Sequence, residues 1–140
     1  MKQIINTPDA PAPIGPYNQA VKAVNTLYVS GQIPMNPQTG ELVTTGIADE
    51  TRMVMQNLKA ILSAAGLTFD NVVKCTIFIM NMDDFTTINE VYGQNFGEDA
   101  PARETVQVSR LPKDVNVEIS CIAVDYDFLF TTNNLLFLPP

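Results

Sequence analysis

Polar and apolar residues alternate between residues 100 and 123, and this pattern most constrains the fold of the chain. The segment APARETVQVSRLPKDVNVEISCIA contains two runs with the period of two that is typical of β-strands, and the letters LPKD between them are typical of a turn. In the first run Arg103, Thr105 and Gln107 alternate with valines, and in the second Glu118 lies between apolar residues. The pattern predicts two adjacent strands whose apolar residues face a core. Their charged residues, Arg103 and Glu118, are expected on the other face.

The remaining sequence predicts further strands and two helices from its hydrophobic periodicity. A spacing of three and four residues indicates helices, and an apolar run that is broken only by Lys74 and Thr76 indicates a central strand. The predicted elements are, in chain order, a short strand at 2–6, a hairpin over 17–32, a helix over 49–65, a strand over 72–80 and a helix from 83 or 84 to 97. Two helices on one face of a sheet give an α+β, two-layer domain.

Capping residues set the predicted ends of the helices. Asp49 is placed to cap the first helix, and Gly66 is placed to end it. For the second helix, Asp83 or Asp84 is the expected cap, and the helix is expected to end at Gly97. Its predicted apolar face carries Phe85, Ile88, Tyr92 and Phe96.

The composition excludes several classes of site. The chain has no histidine, so it lacks the commonest general base and the commonest metal ligand. Cys75 and Cys121 each lie in an apolar strand and are expected to be buried free thiols, so we expect neither a metal nor an organic cofactor. A net charge of −7 without any cluster of Lys or Arg argues against a nucleic-acid partner.

A single domain over residues 1–125 is expected, followed by an atypical apolar extension over residues 126–140. The extension, YDFLFTTNNLLFLPP, carries no charge after Asp127 and has no functional interpretation. The first residues, MKQIINTPDAP, lack the apolar core of a signal peptide, and no apolar run reaches the length of a membrane span. A cytoplasmic protein is therefore the expectation.

Five segments, in order along the chain, resemble the Rid family of reactive intermediate deaminases, which is also called the L-PSP endoribonuclease family. The fifth is PAR with the Val-rich strand, RLPKD and VEI that follow it. The other four are IGPYNQAV at 14–21, LYVSGQIPMNPQTGELV at 27–43, QNLKAILSAAG at 56–66 and NEVYGQNF at 89–96. Together the five segments carry the resemblance from about residue 3 to residue 125.

The resemblance implies a chorismate-mutase-like fold with a mixed sheet, a homotrimer with ligand clefts between its subunits, and hydrolysis of 2-imino acids to 2-oxo acids and ammonia. In that family's site, Arg103 would bind the carboxylate of the substrate and Glu118 would activate water. Other residues that the resemblance implies in or near the substrate site are Tyr17, Ser30, Gly31, Asn89 and Thr105, with Gly31 and Thr105 acting through their backbones.

The chain departs from the common family pattern at two positions, and other interpretations stay open. Thr105 stands where many members have Cys, and Ser120 replaces a second glutamate. From the residues alone, Arg103 and Glu118 could instead form a structural ion pair. Two alternative functions are an endoribonuclease that acts on single-stranded RNA and a non-catalytic module that binds small carboxylates.

Overall fold

The structure, a computed structural model, describes residues 2–128. Six strands and two α-helices are found in this part of the chain. In chain order they are β1 (Lys2–Ile5), β2 (Ala20–Ala23), β3 (Thr26–Gln32), α1 (Ile47–Ala64), β4 (Val72–Ile79), α2 (Phe85–Gly93), β5 (Ala102–Gln107) and β6 (Val117–Val124). The predicted apolar extension lies almost wholly outside the described residues. No helix between residues 2 and 128 is long and apolar enough to cross a membrane.

The strands form one mixed sheet in the order β1-β2-β3-β6-β4-β5. Strands β4 and β5 are parallel, and all other neighbours are antiparallel. The β2–β3 hairpin is confirmed, and so is the central strand, because β4 pairs with β5 on one side and with β6 on the other.

The prediction that β5 and β6 are adjacent strands is wrong, because β4 lies between them. Helix α2 carries the chain across the sheet from β4, so β5 pairs parallel to β4 at the edge. The connection after β5 then returns the chain to the gap between β3 and β4. Lys113 and Asp114 take left-handed conformations in this connection, with φ of 55° and 56°. The period of two predicted both strands but carries no information about which strand each one pairs with.

Both helices pack on one face of the sheet, as expected for two layers. Side chains of α1 and α2 share one core with the inward residues of β3, β4 and β6. The largest fully buried members are Leu27, Leu58, Ile61, Leu62, Ile77, Ile79, Ile88 and Ile119. The opposite face, which we call the open face, carries the alternate residues of β6 and is covered by no helix.

The helix ends agree only in part with the prediction. Gly66 ends α1 as predicted, with a φ of +75° that suits glycine. Asp49 does not cap α1, because the helix begins at Ile47 and the Asp49 carboxylate binds the side chains of Thr45 and Arg52 instead.

Asp84, one of the two predicted caps, occupies the N-cap position of α2, but its side chain makes no capping hydrogen bond. Asn81 instead caps the short 3₁₀ turn that precedes the helix, by accepting a hydrogen bond from the Asp83 N–H. The helix ends at Gly93 and not at Gly97. Phe96 therefore lies beyond the helix, where its ring packs against that of Tyr92.

Candidate functional site

The candidate residues fall into two groups on opposite faces of the sheet. Arg103 and Thr105 pair with Cys75 and Ile77 of β4, whose side chains lie in the core, so both residues point to the helix face. Glu118 lies between two fully buried core residues of β6 and therefore points to the open face.

The prediction that Arg103 and Glu118 share a face is thus wrong. Alternation defines two faces, but it does not say which face meets the helices. On the edge strand β5 the polar residues lie on the helix side. Val106, which was predicted to face the core, lies on the open face and is 44% exposed. Within one subunit the sheet separates the two charged residues, and the ion pairs found among residues 2–128 do not include one between them.

Arg103 is held in a fixed position by side chains of α2. Its Nη1 donates a hydrogen bond of 2.7 Å to Oδ1 of Asn89. The guanidinium carbon lies 5.1 Å from the centre of the Tyr92 ring and 5.7 Å from that of Phe85, within the range of cation–π attraction. Because these three side chains are spaced by four and three residues, they lie on one side of the helix.

The guanidinium of Arg103 has hydrogen-bond donors to spare. An arginine side chain carries five N–H donors, and among residues 2–128 only the bond to Asn89 uses one of them. Within the same residues no carboxylate lies within 4.0 Å of the guanidinium. Arg103 is therefore oriented by its neighbours and still able to bind an anion.

Phe85 and Tyr92 were predicted only as members of the apolar face of the second helix. Tyr92 is indeed in the core, at 5% exposure, but its ring also lies against Arg103. The signal in the sequence was the presence of two aromatic residues and an asparagine on the same side of one helix. Nothing in the sequence shows that this side faces Arg103, because the contact depends on the pairing of β5 with β4.

The Glu118 carboxyl lies on the open face against the backbone of β3. A β-carbon built on Gly31 would collide with Oε1 of Glu118 and would lie 2.9 Å from its Cδ. Partial burial raises the pKa of the Glu118 carboxyl above its ordinary value. A carboxyl of this kind keeps its proton to a higher pH than an exposed glutamate, which suits a group that accepts and returns protons.

Tyr17 and Ser30 lie close to Gly31. Tyr17 and Gly31 line one pocket, and Tyr17 and Ser30 line a neighbouring one. Tyr17 is 46% exposed, and its hydroxyl accepts a hydrogen bond from the Ile14 N–H. The Ser30 hydroxyl donates to the Asn18 carbonyl at 2.7 Å, so its proton already holds the loop before β2.

The structure therefore divides the seven candidate residues between two surfaces. The Arg103 group comprises Asn89, Arg103 and Thr105 on the helix face. The Glu118 group comprises Tyr17, Ser30, Gly31 and Glu118, around β3 and β6. Within one subunit the sheet lies between these two groups.

The two cysteines lie side by side in the core. Cys75 and Cys121 are direct partners across β4 and β6, and both are buried free thiols, as predicted. Burial raises the pKa of each thiol, so both stay protonated and poorly reactive near neutral pH. Among residues 2–128 no three His, Cys, Asp or Glu side chains cluster in a way that could hold a metal ion.

Comparison with known proteins identifies the family. Residues 7–125 match the family model of Endoribonuclease L-PSP. A RutC family protein of Pyrococcus horikoshii is 55% identical over 123 residues, which cover 88% of this chain and 98% of that protein. The human 2-iminobutanoate/2-iminopropanoate deaminase is 45% identical over 124 residues, which cover 89% and 90% of the two chains.

Among solved structures, TdcF of E. coli with bound serine superposes with a TM-score of 0.83 at 50% identity, covering 87% of this chain and 98% of that one. These matches agree with the family resemblance seen in the sequence. The chain belongs to the Endoribonuclease L-PSP family, which includes the Rid proteins.

Proposed function

We propose that the protein hydrolyses small 2-imino acids to 2-oxo acids and ammonia. The observation that carries the proposal is the Arg103 guanidinium, which α2 orients and which has no carboxylate partner among residues 2–128. A planar guanidinium with free N–H donors suits the carboxylate of such a substrate. The names of the human and mouse relatives, 2-iminobutanoate/2-iminopropanoate deaminase, support these two imines as substrates.

The proposed active form is a homotrimer in which the Arg103 group of one subunit meets the Glu118 group of its neighbour. The separation of the two groups by the sheet supports a site between subunits. Large apolar side chains on the open face, including Tyr28 at 52% exposure, support burial of that face in an assembly.

In the proposed reaction, Arg103 binds the carboxylate and thereby fixes the imine carbon relative to Glu118. The Glu118 carboxylate takes a proton from a water molecule, and the oxygen of that water bonds to the imine carbon. The imine nitrogen gains the proton to give a carbinolamine. This intermediate then collapses: Glu118 takes the proton of the carbinolamine hydroxyl and passes it to the amino nitrogen, the C–N bond breaks, ammonia leaves and the C=O bond of the 2-oxo acid forms. The backbones of Gly31 and Thr105, with Tyr17 and Ser30, would line the site.

A coupled assay tests the proposal directly. A dehydratase that acts on threonine releases 2-iminobutanoate, and the appearance of 2-oxobutanoate is followed with and without this protein. We expect the 2-oxo acid to appear faster when the protein is added to the dehydratase. The protein with threonine but without the dehydratase should form no 2-oxo acid. An unchanged rate, in a preparation that binds 2-oxobutanoate, would instead support the non-catalytic carboxylate-binding module.

The name of the family model is the observation that favours a second candidate, cleavage of single-stranded RNA. The net charge of −7 and the absence of histidine count against it. Incubation of the protein with a labelled single-stranded RNA decides the matter. Cleavage that disappears in Glu118→Gln would support this function, whereas cleavage that persists would indicate a contaminating nuclease.

A further inference from the structure

Two buried glutamines line the pocket that Tyr17 and Gly31 share. Gln19 is 2% exposed and Gln32 is 5% exposed. A buried amide without hydrogen bonds is costly, because it loses its bonds to water when the protein folds. The hydrogen bonds of the two amides therefore show whether each one serves the fold alone.

The Gln19 amide is occupied by partners within the subunit. Its oxygen accepts a hydrogen bond of 2.6 Å from the Thr7 N–H. Its nitrogen donates to the carbonyls of Thr7, Ala10 and Pro11. Gln19 thus holds the loop that forms one wall of the pocket, and its role is structural.

The Gln32 amide is only partly used. Its nitrogen donates one hydrogen bond of 3.1 Å, to the Ser30 carbonyl. Because the atom that faces a carbonyl must be a donor, this bond also fixes the orientation of the amide, with the oxygen on the other side. Within the described part of the chain that oxygen accepts no hydrogen bond, and it is not enclosed as the Thr105 and Tyr92 hydroxyls are. Gln32 therefore offers an unused acceptor to the pocket.

The rest of the pocket is small and mainly apolar. Ile14, Ile33 and Met35 belong to its wall, and its interior offers about 30 Å³ to a group of the size of water. This is room for one methyl or hydroxyl group. Gly31 borders both the pocket and Glu118, because the Glu118 carboxyl lies against the Gly31 backbone. A substrate held beside Glu118 therefore lies next to this pocket.

We propose that the pocket holds the side chain of the substrate and that the Gln32 oxygen accepts a hydrogen bond from a hydroxyl on that side chain. This inference rests on the function proposed above and narrows its substrate class to 2-imino acids with a hydroxyl on carbon 3. A methyl group of similar size would fill the pocket but leave the amide oxygen unpaired. A site built to bond a hydroxyl rejects the analogue that lacks it, because the polar group of the site then loses its partner.

Two ligands that differ only in this group test the inference by titration calorimetry. 3-Hydroxypyruvate carries a hydroxyl where 2-oxobutanoate carries a methyl group. The wild type should bind 3-hydroxypyruvate about 5-fold more tightly, as expected for one added hydrogen bond. In Gln32→Met, which keeps the length of the side chain but has no amide, this preference should vanish or reverse. Because the preference is a ratio of two affinities within one variant, a merely structural role of Gln32 would not change it.

Gln38→Met is the matched control, because it makes the same substitution at an exposed position. It should keep the preference of the wild type. Gln32→Asn covers the case that Gln32→Met fails to fold: it keeps an amide but draws it back by one methylene group, and it should also lose the preference. Equal affinities of the wild type for the two ligands would overturn the inference. So would a preference that persists in Gln32→Met, since the hydroxyl would then bind elsewhere.

The proposed function and this inference can fail separately. If the wild type shows the expected preference but does not accelerate imine hydrolysis, only the proposed catalysis is wrong. If the wild type accelerates hydrolysis and binds the two ligands equally, only the inference is wrong. A wild type that binds neither ligand also overturns the inference, whatever its rate of hydrolysis.

Discussion

The Glu118 carboxyl lies directly over Gly31, in the space that a side chain at position 31 would occupy. A β-carbon there would collide with Oε1 and would lie 3.0 Å from Cγ. Gly31 does not have the left-handed backbone conformation that favours glycine elsewhere in the chain. The absence of a side chain at this position therefore serves the neighbouring strand: it leaves room for the carboxyl on β6.

Gly31→Ala should displace the Glu118 carboxyl without altering the backbone of β3. Because a shift of about 1 Å in a catalytic group can cost up to 100-fold, we expect a fall of about 10- to 100-fold in the rate of imine hydrolysis. The acid limb of the pH–rate profile should also move, since the environment of Glu118 changes.

A second glycine gives the control for this variant. Gly93→Ala adds a β-carbon that meets nothing within 4 Å at the end of α2, so it should leave the rate unchanged. Full activity of Gly31→Ala would show that the position of the Glu118 carboxyl does not matter for the reaction.

Glu118→Gln should slow imine hydrolysis by about 10²–10⁴-fold, because the amide keeps the shape but cannot accept a proton. In the wild type the rate should fall as pH drops through the raised pKa of Glu118, at a higher pH than for an exposed glutamate. The variant should lack this limb. The measurement is the coupled assay at several pH values, with the dehydratase in excess. A wild-type rate in the variant would contradict the role of Glu118 as a base.

The same substitution makes a prediction about stability. Because burial raises the pKa of Glu118 in the folded protein, the folded state binds more protons than the unfolded state between the two pKa values, and stability falls as pH rises. Glu118→Gln should therefore melt at a higher temperature than the wild type at neutral pH. The difference should vanish at about pH 3, which is more than one unit below the ordinary pKa of glutamate, because the carboxyl is then protonated in both states. A variant that is less stable at neutral pH would instead reveal a stabilising cationic partner of the carboxylate.

The Tyr92 ring should matter for Arg103, whereas its hydroxyl should not. Tyr92→Phe keeps the ring and removes a buried hydroxyl whose neighbour is only a thiol, so activity should be kept and the melting temperature should not fall. Tyr92→Leu keeps the apolar bulk but removes the ring, and cation–π attraction of about 0.5–2 kcal/mol predicts a loss of about 2- to 30-fold in affinity for 2-oxobutanoate. Equal affinities of the two variants would show that the ring does not orient Arg103.

The sequence was sufficient to predict the local elements and the layers. Apolar residues repeat every two positions in a strand and every three or four in a helix, and both patterns depend only on residues close in the chain. The sequence therefore predicted α1, the β2–β3 hairpin and the apolar strand β4. Cap positions were less predictable. Asp49 had a competing partner within one helical turn, Arg52, and its carboxylate binds that guanidinium instead of capping the helix.

The arrangement of the candidate site could not be predicted from the sequence, because it depends on pairing between strands that are distant in the chain. Once β4 lies between β5 and β6, the register of β5 follows from β4, and this register places Arg103 on the helix face. The contacts of Arg103 with Asn89 and Tyr92 follow from the same pairing. Residue types indicated which groups could act, and only the sheet order shows that they lie on two faces.

Because Arg103 and Glu118 lie on opposite faces, two inactive variants should restore activity when their subunits are mixed. Arg103→Ala destroys one half of each site, and Glu118→Gln destroys the other half. In a ring of three subunits, every mixed trimer has one interface where the intact Arg103 group meets the intact Glu118 group. With random mixing at equal amounts, about a quarter of the wild-type activity per subunit should return.

The mixing experiment requires that subunits exchange, so the two variants are unfolded and refolded together, with each variant refolded alone as the control. Arg103→Lys mixed with Glu118→Gln gives a matched pair, because lysine keeps the charge but loses the two-pronged geometry. If Arg103→Lys alone is inactive, this mixture should regain the same fraction of the wild-type activity as the mixture with Arg103→Ala. Light scattering confirms that the mixed sample is trimeric. Trimers that form and show no recovery would contradict a site that combines Arg103 of one subunit with Glu118 of its neighbour. A stable monomer that retains activity would remove the site between subunits altogether.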